Sequence, residues 1–302
     1  MKGVNGYKMI NNDLIITGSR AMARSYAKIN LTLDVLGKRP DGYHDIETIM
    51  QTLNLYDLIL VDKSKCGIRI SSNLKYLPNN DKNIAYKAAQ AFIEKTGINR
   101  GVTIMIHKNI PVAAGLAGGS GNGAAVLVAM NRLFNTGLSD AELCEMGAAL
   151  GADIPFCISG GTQLSQGIGE ILTPLYGLKP MYVLLVKPSI NISTAAIYSE
   201  IDNTVISKRP DTKAMTEAIK NNDIYGIASN LCNVMESVTE VSNPIIKGIK
   251  TKMMNHGAIG TLMSGSGPSV FGIFDDYDKI YDAANGFYAQ FKDTFITKTY
   301  NK

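Results

Sequence analysis

No C-x-x-C pair occurs in the sequence. Its four cysteines, Cys66, Cys144, Cys157 and Cys232, are scattered, which excludes zinc-ribbon spacing and a disulfide framework and points to a reducing cytoplasm. Long apolar runs are missing as well. Stretches such as Met181–Val186 fall far short of the ~18 residues a membrane-spanning helix needs, so the chain reads as soluble. Neither sign of charge dominates: 30 Lys and Arg against 26 Asp and Glu leave +4, too little and too dispersed for a nucleic-acid or polybasic membrane surface. His107 and His256 lack both H-E-x-x-H spacing and neighbouring cysteines, which argues against zinc. Residues 1–22 carry Lys2, Lys8 and Arg20 but no continuous apolar segment, so they read as a short extension of unknown role, not a secretory signal.

What is present is a globular composition. The 302 residues, 45% of them hydrophobic, are enough for about two domains, each with its own core. Ile29, Leu31, Leu33 and Val35 alternate with mostly polar neighbours, the period of a strand buried on one face. Thr48–Leu60, Gly67–Ser72 and Val102–His107 supply further strands, and Asn83–Thr96 is an alanine-rich helix ended by Gly97. An apolar helix follows the glycine-rich stretch 115–123. Ser139 and Glu142 form a capping box for the next helix, which Gly151 ends. The second half carries a strand at Met181–Lys187, a polar stretch to Ser199, helices between about 212 and 238, and a helix opened by Asn243-Pro244. Short strands at Ala258–Met263 and Ser269–Phe274 flank a glycine turn. Strands and helices mix without strict alternation, which indicates an α+β architecture in two lobes, residues 23–164 and 165–302.

The segment from Pro111 to Ala125 is the richest in chemistry. Small residues at the mouth of a helix let the backbone approach a phosphate, with free N–H groups and the helix dipole favouring the anion. It matches neither G-x-x-x-x-G-K-[ST] nor G-x-G-x-x-G, and a tight turn that packs helix on sheet is the alternative. Ser120 and Asn122 put polar side chains where a triphosphate or its Mg2+ would sit. Asp153 lies between a helix stop and Pro155, which biases Ile154 toward an extended conformation. By itself this acid reads as a turn or cap residue, and Lys28, on the polar side of its strand, as a surface lysine. Pro40-Asp41-Gly42 has turn composition. Tyr43 and His44 follow it, an aromatic face beside a polar tip of the kind that suits a nucleobase.

In their order, these segments resemble the GHMP kinase superfamily: an early strand with a polar residue, the central P-x-x-x-G-L-x-G-G-S stretch before a helix, and the late turn Met263-Ser-Gly-Ser-Gly-Pro268. Within it, Ala27-Lys-Ile-Asn-Leu31, Gly37-Lys-Arg-Pro-Asp-Gly-Tyr-His44 and Leu150-Gly-Ala-Asp-Ile-Pro155 resemble the 4-diphosphocytidyl-2-C-methyl-D-erythritol kinases of non-mevalonate isoprenoid biosynthesis. The resemblance implies a two-lobed GHMP fold with a deep cleft between the lobes, and a cytoplasmic kinase using ATP and Mg2+ on the 2-hydroxyl of a cytidine-diphosphate-linked methylerythritol. It makes Lys28 and Asp153 the catalytic pair, Asp153 as proton acceptor. It assigns ATP to Asn83, Lys108 and the stretch Pro111, Gly115, Leu116, Ala117, Gly118, Gly119, Ser120, Gly121 and Asn122. Asn30, Tyr43, His44, Thr194 and Tyr198 fall at substrate positions, with two tyrosines placed to sandwich a cytosine. The Mg2+ ligands stay unassigned. Where the family often carries Ser-Ser-Asn-Ala, this chain has Ser120-Gly121-Asn122-Gly123. Two other readings compete: a GHMP kinase of another small alcohol, such as homoserine or mevalonate, and a nucleotide-binding sensor without catalysis. The aromatic set argues against the first, and the presence of both Lys28 and Asp153 argues against the second.

Overall fold

A computed structural model describes residues 8–11 and 13–301. Part of the N-terminal extension, residues 1–7 and 12, lies outside the described residues; the rest contains β1 (Lys8–Asn11) and β2 (Leu14–Thr17), paired antiparallel. The chain divides into two compact units. Two long strands, β3 (Arg20–Lys38) and β4 (His44–Ser64), run from one into the other.

The first unit comprises residues 1–26, 56–110 and 117–159. Here β2 pairs with the start of β3. The end of β4 pairs antiparallel with β6 (Gly101–His107), and β6 pairs in parallel with β5 (Ile68–Ser72). Helix α1 (Ile84–Thr96) buries Ala85, Ala88, Ala89 and Phe92 on one stripe. Asn83 caps it by accepting from the Ala85 N–H, and Gly97, at φ +67°, closes it, a left-handed position that glycine adopts without strain. α2 (Gly118–Phe134) packs against α1, and both contribute to a core with Ile59, Val61, Ile104, Phe92, Val126, Leu127 and Met130.

α3 (Asp140–Ala148) starts with the expected capping box: the Glu142 N–H donates to Ser139 Oγ, and the Ser139 N–H donates to Glu142 Oε2 at 2.8 Å. These bonds hold the Glu142 carboxyl below the usual carboxylate range. Its contribution to stability is therefore present above that range and is lost as pH falls through the depressed value. Ser139→Ala should destabilise the protein by about 0.5–2 kcal/mol at neutral pH; urea unfolding checks this, and the deficit should shrink in acid.

The second unit comprises residues 27–55, 111–116 and 160–302. The rest of β3 turns into β4 through Pro40-Asp41-Gly42, where Arg39 N donates to Tyr43 O at 2.8 Å and Gly42 has φ +88°. β4 pairs with β7 (Thr162–Gln166), and β7 with β8 (Ile171–Pro174). A separate antiparallel sheet has the order β11 (Gly260–Met263), β12 (Val270–Phe274), β9 (Tyr182–Lys187), β13 (Asp293–Lys298). Around it are α5 (Thr194–Ile201), α6 (Thr212–Lys220), α7 (Ile224–Ser229), α8 (Glu236–Ser242), α9 (Pro244–Asn255) and α10 (Tyr277–Tyr288), with a two-residue strand β10 (Cys232–Asn233). Leu184, Val186, Ile246, Met253, Phe274 and Phe287 belong to its core. No disulfide links the four cysteines. Among the described residues no helix is long and apolar enough to cross a membrane.

Four expectations change. β3 is not half-exposed: every residue from Ser25 to Val35 is buried, because its polar positions face hydrogen-bonding partners instead of water. The glycines 118–123 do not precede the helix but form the first turns of α2. Asp153 is followed directly by α4 (Ile154–Ser159), and Pro155 sits inside its first turn, where a missing N–H costs nothing. The polar stretch before Ser199 contains α5, started by Ser193, whose side chain accepts from the Ala196 N–H.

Candidate active site

Lys28 is only 5% exposed. A strand lysine read as solvated is therefore a buried one, and its ammonium donates to Asn30 Oδ1 at 2.9 Å. Asn30 Nδ2 donates in turn to Thr48 Oγ1 at 2.8 Å, and Thr48 Oγ1 to Thr32 O at 2.5 Å. The alternation of β3 puts Lys28, Asn30 and Thr32 on one side, and β4 supplies the hydroxyl that fixes the amide's orientation. The Lys28 N–H donates to Leu116 O at 3.2 Å, which ties the glycine-rich stretch to the same strand.

The substrate candidates are partly gathered. His44 is buried and stacks on Tyr198, with ring centroids 4.8 Å apart and planes 21° from parallel. Asp202, one turn beyond Tyr198, lies 2.7 Å from His44 Nε2 and holds the ring in place. The hydrogen bond with His44 is the main reason the Asp202 carboxyl sits below its ordinary range. Thr194 Oγ1 is 2.8 Å from Ser266 Oγ of the late glycine turn. Tyr43 is 61% exposed on the outside of its bend, so the ring found against Tyr198 is His44, not a second tyrosine.

In the first unit Lys108 and Asn122 converge on an acid that sequence reasoning missed. Asp57 is fully buried and pairs with the Lys108 ammonium. It also accepts from the Asn109 and Ile110 N–H groups, each at 2.8 Å, and from Asn122 Nδ2 at 2.8 Å. Asn122 Nδ2 further donates to Ser25 Oγ at 3.0 Å. Both residues are thus held below the surface of α2, and Ser120 is the half-buried polar side chain of its first turn. The one available signal for Asp57 was an acid inside the apolar run Leu53–Leu60. Asn83 is the α1 cap described above, with Nδ2 donating to Pro78 O at 2.8 Å.

From Pro111 the chain reaches α2 through left-handed residues at 113, 115 and 117 (φ +52°, +71° and +54°), a backbone of the type that forms anion-binding concavities. α2 has no side-chain cap, so no side chain competes for its first N–H groups. A Cβ at Gly118 would stand 3.0 Å from Lys108 Nζ and 3.1 Å from Ile110 Cγ2. One at Gly121 would be 2.7 Å from Ser25 Oγ, and one at Gly123 2.8 Å from Ile84 Cγ2. These glycines serve close packing of α2 as well as any ligand. Asp153 stands at the entrance of α4, its carbonyl accepting from the Cys157 N–H at 3.0 Å.

Residues 83–161 match the model of the GHMP kinases N terminal domain, and residues 215–293 that of the GHMP kinases C terminal domain. The chain is 48% identical over 280 residues to a 4-diphosphocytidyl-2-C-methyl-D-erythritol kinase of Alkaliphilus metalliredigens, covering 92% of this chain and 96% of the relative. It belongs to that family of GHMP kinases. A kinase of the same name from Clostridium novyi is 48% identical, with 91% and 99% covered. A crystal structure of a 4-(cytidine 5'-diphospho)-2C-methyl-D-erythritol kinase superposes with a TM-score of 0.81 at 29% identity, covering 93% of this chain and 100% of that one. The homoserine kinase of Cytophaga hutchinsonii shares the fold, with a TM-score of 0.72 at 18% identity and 93% and 95% covered. As a family member the chain is a small-molecule kinase. Its α+β fold is that of the GHMP kinases.

Proposed function

We propose that this kinase transfers the γ-phosphoryl group of ATP to the 2-hydroxyl of 4-diphosphocytidyl-2-C-methyl-D-erythritol, in the cytoplasm. The observation that carries the choice of substrate within the fold is the His44–Tyr198 stack braced by Asp202. A planar ring pair suits a cytosine, which neither homoserine nor mevalonate possesses. The two family models fall one inside residues 23–164 and one inside 165–302, although the compact units interleave, with residues 27–55 and 111–116 grouped with 160–302.

Asp153 is assigned as the acceptor of the hydroxyl proton, and Lys28 as the cation that offsets charge on the transferred group. A carboxylate is a weak base toward an alcohol, so holding the hydroxyl in line with the γ-phosphorus supplies much of the rate. The uncapped start of α2 and the left-handed residues before it fit the phosphates of ATP. Asn83 and Lys108 are assigned to its adenosine end. Among the described residues no group of three or more His, Cys, Asp or Glu is gathered for a metal. An ion held mainly by phosphate oxygens and water, as Mg2+ commonly is in kinases, needs no such group. When bound, Mg2+ would neutralise charge on the β- and γ-phosphates.

Asn30, Tyr43, His44, Thr194 and Tyr198 are assigned to the alcohol substrate. Tyr198→Ala should raise KM for the cytidine substrate by roughly 5- to 100-fold, the equivalent of one base-stacking contact. KM for ATP should stay near wild type. Steady-state kinetics with the cytidine-diphosphate-linked alcohol, homoserine and mevalonate checks both points. Turnover of homoserine or mevalonate alone would reject the proposal.

A further inference from the structure

Asn233 ties the strand that carries Lys28 to the late glycine turn. Its backbone lies in β10, where Cys232 and Asn233 pair in parallel with Thr32 and Leu33 of β3, and the Val234 N–H donates to Leu33 O at 3.0 Å. Its side chain, in a residue only 4% exposed, is committed to the turn. Nδ2 donates to Met263 O at 2.9 Å and to Gly265 O at 2.8 Å, while Oδ1 accepts from the Met235 N–H at 3.0 Å. Both amide hydrogens thus go to carbonyls on either side of Ser264. Glu236 adds a third tether, its Oε1 accepting from the Met263 N–H at 2.7 Å.

The turn held in this way presses on two groups assigned to the reaction. Ser264 Oγ donates to Gly115 O at 2.9 Å. A Cβ at Gly115 would fall 2.2 Å from Ser264 O and 3.0 Å from Gly267 O, so turn and glycine stretch touch backbone to backbone. On the other side, a Cβ at Gly265 would lie 3.5 Å from Asn30 Oδ1, the oxygen that receives the Lys28 ammonium. A turn that shifts takes Gly115 with it and disturbs the partner of Lys28.

We infer that Asn233 is a positioning residue for phosphoryl transfer: from β10, paired with β3, it grips the Met263 and Gly265 carbonyls and so fixes the spacing between Lys28–Asn30 and the Gly115 stretch. This rests on the assignment of Lys28 and the glycine stretch under the proposed function. Nothing in the sequence pattern marked Asn233, because its partners lie about thirty residues on and are backbone atoms.

Asn233→Asp tests it. The variant keeps the size and the Oδ1 acceptor but sets a carboxylate oxygen against two carbonyl oxygens, so the turn moves. We expect KM for ATP to rise roughly 10-fold or more, since two buried hydrogen bonds are lost. Lowering the pH should restore much of the defect, because the protonated carboxyl regains one O–H donor and burial raises the pH at which it protonates. A merely structural role would lower the active fraction, reducing apparent kcat at unchanged KM for ATP. That result would overturn the inference.

Ser264→Ala removes the link from turn to Gly115 without touching the buried amide. It should raise KM for ATP in the same direction by a smaller factor, and a wild-type value in the folded variant would also overturn the inference. Wild-type protein in the same assay separates the two ideas. If it fails to phosphorylate the cytidine substrate, the proposed function falls, and ATP affinity of the same variants by calorimetry then decides the role of Asn233 alone.

Discussion

Asp153→Asn should lower kcat by about 10²- to 10⁴-fold, the usual share of a positioned general base, with ATP affinity close to wild type. The amide is nearly isosteric and removes the proposed proton acceptor. The backbone carbonyl that starts α4 by accepting from the Cys157 N–H is untouched, so the helix entrance should survive. Rapid-quench measurement of the phosphorylated product, together with calorimetric titration of ATP, checks both halves. Turnover at the wild-type rate would remove Asp153 from the base role. Loss of ATP binding in parallel with turnover would instead make it a structural residue of that loop.

The largest expected effect on stability belongs to Asp57→Ala, which should cost about 3–5 kcal/mol. Asp57 is fully buried, and one carboxylate answers the Lys108 ammonium, two backbone N–H groups and the Asn122 amide. Removing it leaves a buried cation and several donors without an acceptor. Set against a domain stability of roughly 5–15 kcal/mol, the loss is a large fraction of the total. Urea unfolding at constant m measures it directly. The double variant Asp57→Leu with Lys108→Met should recover much of the loss, since deleting both members of a buried pair is far less costly than deleting one. A single-variant cost below about 1 kcal/mol would mean that water or a rearranged Lys108 replaces the ion pair at the level of an exposed salt bridge.

Features set by neighbours in sequence were legible in advance. The Ser139–Glu142 box, the Asn83 and Gly97 ends of α1 and the Pro40-Asp41-Gly42 bend all depend on residues within a few positions of each other. The buried polar side of β3 was not legible. Alternation alone cannot say whether Lys28, Asn30 and Thr32 meet water or partners, and here Thr48 arrives from eighteen residues beyond Asn30. Asp57 was hidden for the same reason, its partners being 51 to 65 residues away. α5 escaped because its polar outer positions mask the buried pair Ile197 and Ile201. The glycines of α2 were read for phosphate chemistry, and the contacts that also demand them, with Ser25 and Ile84, are tertiary.

Those contacts bear on which side chains positions 121 and 123 can accept. Alanine at 123 collides with the branched methyl of Ile84 at 2.8 Å, which lies too close to the main chain to swing aside. Serine at 121 would have to turn Ser25 away from the Asn122 amide. Alanine at 123 therefore calls for a smaller side chain at 84, and serine at 121 for a smaller or displaced one at 25. Changing position 121 or 123 alone should therefore cost stability that a matching change at 25 or 84 recovers.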